Sequence, residues 1–231
     1  MDPETFPYGR NRMDMYSAFM QYNEVLVTGG TGLAGPHVCR ALLDRGVLPR
    51  LFVRPQSEGK IPPEIRPRIR VSPGDLTVRE FVELGAQGTS AIVHLGGAWK
   101  ESRKEGVVFE KAIVHATGNV VHAAKLWGIG RLIYISVAGA RPGDPVPFLD
   151  AKGRAEESVR NSGLAWTVFR PEPFYDLRDG RILVTAESLQ DFAAGVADAL
   201  FRNDAIGRLV EGPGPHLHLA GRKSVAGEMV K

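Results

Sequence analysis

Apolar residues along the chain fall into short solid runs separated by longer stretches of helical spacing. The run "VLVTGG" ends in glycines, and an unbroken apolar run of this length reads as a strand covered on both faces. The next stretch, "AGPHVCRALLDRG", puts Val38, Ala41 and Leu42 on one helical face. The order then repeats. "PRLFVRP" predicts a second strand closed by Pro55, the Pro-rich "SEGKIPPEIRP" a loop, and "RIRVSPGDL" a third, weaker strand. "FVELGAQG" predicts a helix with a glycine stop, and "SAIVHLGGA" a fourth strand that runs into a glycine pair. Residues 107–126 carry a helical period, "RLIYISVAG" reads as a fifth strand, 152–161 as a helix, and "LAWTVFRPEP" as a sixth strand. Strands alternating with helices at this spacing predict an α/β fold, a parallel sheet with helices on both faces.

After Pro173 the alternation weakens. "RILVTA" reads as a short strand, "SLQDFAAGVADALFRN" as an amphipathic helix capped by Ser188, and "GRLVEGPG" as a strand and turn. The expected organisation is therefore a sheet domain over 24–174, a small C-terminal substrate-side region over 175–219, and a tail at 220–231. Residues 1–23 read as a loose extension or a cloning remnant; their acids and the lack of an apolar core argue against a secretory or transit peptide.

Composition adds exclusions. With 231 residues, 43% of them hydrophobic, the chain can bury a sizeable core. Twenty-nine basic against twenty-six acidic side chains are scattered without a block, so no nucleic-acid tail is expected, and no window is apolar for long enough to span a membrane. The single cysteine, Cys39, allows no internal disulfide and lies in the first predicted helix, where a buried inert thiol is expected. A reducing, cytoplasmic setting follows as the simpler expectation.

The chemistry concentrates in "TGGTGLAG". Gly29, Gly32 and Gly35 recur every third residue at the first strand-to-helix junction, with Leu33 between them and Pro36 in the first helical turn. Residues without a Cβ let the backbone approach a pyrophosphate, whose charge is met by the amides at a helix N-terminus. A plain flexible turn is the bland reading, and the position in an α/β series favours dinucleotide binding over it. About nineteen residues on, the second strand ends at Arg54, where a guanidinium would accept the 2′-phosphate of NADP and a carboxylate the ribose of NAD. NADP is favoured and NAD stays open, with Arg50 and Lys60 as helpers and Glu58 as the contrary sign.

Taken together these residues resemble the extended and atypical short-chain dehydrogenase/reductases, especially the NmrA-like and complex I 39 kDa subunit-like branches. The likeness covers about Val25 to Gly214 and is carried by "VTGGTGLAG", "GDL", "IVHLGGA", "YISVAGA", "FLDAKGRAEESVRNSGLAWTVFRPEPFY" and "DFAAGVADAL". It implies a Rossmann-like doubly wound sheet. It also puts Asp75 and Leu76 beside an adenine, Leu95, Gly96 and Gly97 beside the nicotinamide ribose, and Arg170, Pro171 and Phe174 near the nicotinamide. Conventional members carry a serine after the fifth strand and Tyr-x-x-x-Lys on the next helix. Here Ser136 and Lys152 stand in those places as catalytic candidates, with Lys152 also a ribose ligand, but the tyrosine position is Phe148. Phenylalanine has no proton to give.

Tyr175, His94, His115 and His122 are the other titratable groups in reach of a site, and none of them forms a persuasive catalytic or metal pattern. Trp99 and Lys100 follow the glycine pair as candidates for a pocket mouth. Three functions remain: a nucleotide-binding sensor or regulator of a partner protein, an oxidoreductase or sugar-nucleotide epimerase with another proton donor and a small-molecule substrate, and a nucleotide-independent scaffold.

Overall fold

The computed structural model describes residues 22–102, 107–172, 174, 181–211 and 218–219. Along the chain run β1 (Glu24–Thr28), α1 (Gly35–Leu43), β2 (Leu48–Val53), β3 (Arg70–Pro73), α2 (Arg79–Ala86) and β4 (Ala91–His94). They are followed by α3 (Ala116–Leu126), β5 (Arg131–Ile135), α4 (Pro147–Arg160), β6 (Ala165–Arg170), α5 (Ala186–Phe201), β7 (Arg208–Glu211) and β8 (His218–Leu219). The sheet order is β3-β2-β1-β4-β5-β6-β7-β8, parallel from β3 to β7, with β8 antiparallel at the edge. This is a Rossmann-like doubly wound sheet whose strand order reverses between β1 and β4.

The solid apolar runs make the layers. Val25 and Val27 join one core cluster and Leu26 the other, and the same alternation holds at Val93 against Ile92 and at Ile133 against Leu132. One face is covered by α1 and α5, which supply Val38, Leu42, Phe192 and Val196. The other is covered by α2, α3 and α4, with Val82, Val120 and Ala155. Each such side chain withdrawn from water is worth about 1.5–3 kcal/mol for the larger residues. Cys39 is fully buried under β1 and burial pushes its thiol up to about 12, so it is packing rather than chemistry.

Several local expectations change. The helix read from Lys152 begins one turn and more earlier, at Pro147, whose ring suits a first helical position. The helix read over 107–126 opens on a π-helical stretch, Glu110–His115, before settling into α3. The Pro-rich loop contains a 3₁₀ turn, Pro55–Lys60. The short strand expected at 181–186 is reduced to a single β-bridge at Ile182, with the Leu183 amide donating to the Phe174 carbonyl at 2.9 Å; Ile182 and Leu183 are about half exposed, and the chain there leads into α5. The cap of α5 is Thr185, whose Oγ1 accepts from the Ser188 amide at 3.1 Å; Ser188 is the capped residue because the helix starts one turn before the apolar stripe suggests.

Within the span expected to be a substrate-side region, residues 181–211 add β7 to the same sheet, beside β6, and lay α5 against α1 and β5. Arg131, buried at the start of β5, ties this part down by donating to the Ala165 and Ala199 carbonyls and to Thr167 Oγ1. Ala199 lies in the last turn of α5, where a cation also opposes the helix dipole.

Candidate functional site

The β1–α1 turn is shaped by contacts that exclude side chains. Gly29 has φ +70°, and a Cβ there would stand 2.8 Å from the Gly96 nitrogen and the Leu95 carbonyl carbon. The turn is therefore pressed against the end of β4. A Cβ on Gly35 would come within 2.4 Å of the Gly30 backbone, while on Gly32 it would meet only the Gly29 carbonyl at 3.2 Å. Among the described residues no acceptor takes the amides of Leu33 and Ala34 at the start of α1.

A cleft of about 180 Å³ opens where this turn meets the ends of β4, β5 and β6. From the turn it takes Gly29, Gly32, Leu33 and Gly35; from the end of β4, Leu95 and Gly97; from beyond β5, Ser136; from α4, Lys152; and from beyond β6, Pro171 and Phe174. These residues, singled out from the sequence, share one cavity. Arg54, Asp75, Leu76, Gly96 and Arg170 lie outside its lining. Leu76 packs so closely on Gly96 that a Cβ on that glycine would sit 2.4 Å from Leu76 Cδ1. The Asp75 carboxylate accepts from the Thr77 amide and hydroxyl, both at 2.8 Å, and so shapes the turn before α2. Arg54 is exposed at the end of β2 and has no ion-pair partner among the described residues.

The proposed helpers of Arg54 divide. Arg50 is held at the far side of the sheet, donating to Glu24 at 2.7 Å and to the Gly85 and Gln87 carbonyls, so it is not at the strand end where a ribose substituent would lie. Glu58 pairs with Arg66 at 2.7 Å, and Lys60 is exposed.

Phe148 stands on the first turn of α4 with its ring in the cleft wall and its centroid 5.5 Å from that of Phe109. One turn on, the buried Lys152 Nζ donates to the Ile135 carbonyl at 2.9 Å and lies 5.1 Å from the centre of the Tyr134 ring. Burial pulls Lys152 down to about 8, with Glu156 opposing the shift. Ser136 Oγ is buried and has no hydrogen-bond partner among the described residues. A buried hydroxyl without a partner costs about 1–3 kcal/mol, which a ligand oxygen reached by rotation about the Cα–Cβ bond would return.

His94 does not open to the cleft. The Gly96 amide donates to Thr28 Oγ1 at 3.0 Å, Thr28 Oγ1 and His94 Nδ1 are 2.6 Å apart, and His94 Nε2 and Thr117 Oγ1 are 3.0 Å apart. Burial, aided by the Lys152 charge, pulls the imidazole down to about 3, so it is neutral. The arrangement that leaves no donor idle has the Thr28 hydroxyl donating to Nδ1 and Nε2–H donating to Thr117. His94 is a tie between β1, β4 and α3. His115 and His122 face Glu110 and Glu83 on the surface, and no group of metal-ligating side chains occurs among the described residues. Tyr175 lies outside the described residues, as do the stretches 1–21, 212–217 and 220–231 of the expected terminal segments and turn.

Arg170 is a pin rather than a lining residue. It donates to both Glu156 oxygens, at 2.8 and 2.7 Å, to the Ala140 carbonyl and to Glu211, and so fastens α4, β6 and β7 together. The sequence reading missed Glu172, an exposed carboxylate on the cleft rim between Pro171 and Phe174, and the apolar flanks Ile135 and Val137 beside Ser136. Their place in two motifs already singled out was the available signal. Trp99 does line the cleft, with Lys100 Nζ 6.0 Å from its ring.

A dinucleotide fits what is present: a backbone turn closed to side chains, free amides at a helix start, an unpartnered serine hydroxyl and a buried ammonium. The family model described as NAD(P)H-binding matches residues 29–200. Among curated relatives, a ceramide reductase of Caulobacter vibrioides is 29% identical over 160 residues, covering 69% of this chain and 49% of that protein. A 2-alkyl-3-oxoalkanoate reductase of Stenotrophomonas maltophilia is 34% identical over 187 residues, covering 69% and 53%. The chain thus spans about half the length of these relatives. A solved short-chain dehydrogenase/reductase of Veillonella parvula in complex with NADP superposes with a TM-score of 0.63 over 86% of this chain and 97% of that one, at 18% identity. Among the described residues no helix is long and apolar enough to cross a membrane.

Proposed function

The chain belongs to the NAD(P)H-binding family, and we propose from this that it holds NADP(H) across the β1–β4 junction and reduces an apolar carbonyl compound without a phenol as acid. The single observation that carries this is the pairing of Ser136 and Lys152 in one apolar cleft, the serine hydroxyl unpartnered and the lysine buried. A reduced nicotinamide supplies two electrons and a hydrogen to an acceptor. The chain's part is to bind, orient and protonate: the glycine turn and the Leu33 and Ala34 amides meet the pyrophosphate, Leu95 to Gly97 and Lys152 the nicotinamide ribose, and Pro171 and Phe174 the ring. Asp75 and Leu76 border the adenine, and the likeness to reductases of ceramide and of 2-alkyl-3-oxoalkanoates supports a hydrophobic substrate. A cytoplasmic site of action agrees with the single buried cysteine.

Arg54 carries the preference for NADP, since it ends β2 in the open while Arg50 is committed elsewhere. Calorimetric titration at one salt concentration is expected to give tighter binding of NADPH than of NADH. Arg54→Ser should weaken NADPH about tenfold to a hundredfold, the loss of one charge-assisted contact, and leave NADH unchanged. Equal affinities that Arg54→Ser does not alter would remove Arg54 as the selector, and no binding of either nucleotide would sink the reading.

Phe148 favours a second reading, in which nucleotide occupancy is the output and the protein serves as a redox sensor or regulator of a partner. Tight NADPH binding with no turnover on a broad carbonyl and nucleotide-sugar panel would select it. A stable protein complex indifferent to nucleotide would select a scaffold instead.

A further inference from the structure

The cleft has a serine hydroxyl and a lysine but a phenylalanine where a proton donor is needed, and among the described residues nothing else in its lining except Glu172 on the exposed rim can release a proton. Lys152 is placed to do so. Its ammonium has three N–H groups, of which the Ile135 carbonyl takes one. No carboxylate pairs with it among the described residues. Glu156, the acid one turn along α4, already receives two bonds from Arg170. The other titratable groups packed around it are the Tyr134 phenol, which burial keeps protonated, and the neutral His94. Glu110 and His115 on the π-helical stretch face each other, and Glu110 also binds Arg154. Nζ borders the glycine that ends the cleft floor, 3.7 Å from where a Cβ on Gly97 would be.

We infer that the Lys152 ammonium itself gives the proton to the carbonyl oxygen of the substrate, replacing the phenol that Phe148 lacks. The inference rests on the NADPH-dependent redox reading. In the step, the carbonyl carbon gains a hydride with its two electrons from the reduced nicotinamide, the C=O π pair moves onto oxygen, and that oxygen takes a proton from Nζ. Lys152 is left as a neutral amine that solvent reprotonates. A buried amine pulled down to about 8 is still mostly charged at neutral pH yet parts with its proton far more readily than an exposed lysine. Leu33, Leu95, Trp99, Phe148 and Phe174 around it suit an aldehyde or ketone with an apolar body.

The test combines a direct titration with kinetics on the full chain. In protein labelled with ¹³C-lysine and saturated with NADPH, the Lys152 resonance, identified by its loss in Lys152→Arg, is expected to titrate near the value of about 8 that burial gives it. Reduction of a panel of aliphatic and aryl aldehydes and ketones should be level below that pH. Above it the rate should fall about tenfold per unit as the acid form is lost. Lys152→Arg keeps the charge but cannot release a proton; at saturating NADPH, with its affinity read separately in the calorimeter, it should lose at least a hundredfold in kcat and lose the alkaline break. Lys152→Met, similar in length and uncharged, serves if the arginine does not fit, with the same loss of turnover expected. A Lys152 midpoint at the ordinary value of about 10.4, an arginine variant within tenfold of parental turnover, or a parental rate flat through alkaline pH overturns the inference while leaving NADPH binding intact. Absence of NADPH in the calorimeter, or of any reduction across the panel, overturns it together with the redox reading.

Discussion

Gly153→Ala is expected to lower stability by about 3 kcal/mol and to weaken NADPH binding at the same time, although residue 153 is not part of the cleft. A Cβ on Gly153 would stand 2.2 Å from the Arg141 carbonyl carbon and 2.4 Å from the Pro142 nitrogen. Both are backbone atoms, so no side chain can swing aside. To admit the methyl, α4 must shift off the loop that follows β5, and that shift moves Lys152, the adjacent residue, away from the Ile135 carbonyl it binds. For a chain of this size a loss of about 3 kcal/mol lowers the melting midpoint by roughly 6–12 °C. Gly118→Ala in α3 is the matched control: nothing lies within 4 Å of its Cβ position, and an alanine inside a helix should stabilise by about 0.5–1 kcal/mol. Thermal melts and calorimetry on both variants separate a steric clash at Gly153 from a general intolerance of helix substitutions. A Gly153→Ala protein that melts with the parent would mean that α4 does not rest on the loop as described.

Glu156→Ala is the second large expected effect. Glu156 is 1% exposed, and its carboxylate is fully taken by Arg170. Removing it leaves the Arg170 guanidinium partly buried with only Glu211 and the Ala140 carbonyl, and breaking such a pair from one side costs about 3 kcal/mol. Glu156→Gln keeps the shape and one acceptor and should cost less. Its effect on Lys152 has a definite sign. Glu156 is the group that holds the lysine's proton on against burial, so the glutamine variant should titrate Lys152 at a lower pH than the parent does. In the ¹³C-lysine titration a midpoint that rises, or does not move, would show that the two residues of α4 are not electrostatically linked.

The sheet and the glycine turn were legible from the sequence because both depend on local pattern. An apolar run that must be covered on two faces looks the same wherever it sits, and a turn that cannot hold a Cβ shows its glycines. The register of Ser136, Phe148 and Lys152 was legible too, since a strand end and one helical turn fix it. What could not be read is which partner a charged side chain chooses. Arg50 and Arg54 are both near the end of one strand in sequence, yet one is bound to Glu24 at the start of β1 and the other has no ion-pair partner among the described residues. Arg170 looked like a site residue because its neighbours are, and only the folded chain brings Glu156 and Glu211 to it. The π-helical stretch Glu110–His115 carries an ordinary helical period, so its extra residue per turn has no mark in the sequence. Thr185 was passed over as a cap because the apolar stripe of α5 starts a turn after the helix does.

The strand order has a last consequence for how the molecule is put together. β1 pairs on one side with β2, its near neighbour along the chain, but on the other with β4, where Val25 meets Ala91 across two intervening strands and two helices. The sheet is thus two halves joined along a seam, and the cleft straddles it, with the glycine turn on one bank and Leu95, Ser136 and Lys152 on the other. A chain that has built only the first half owns half a cradle. Any molecule lying across the seam binds the joined form alone and acts as a clasp on it. At a hundred times its dissociation constant a ligand bound only by the joined sheet would add about 2.7 kcal/mol to the stability of the folded form.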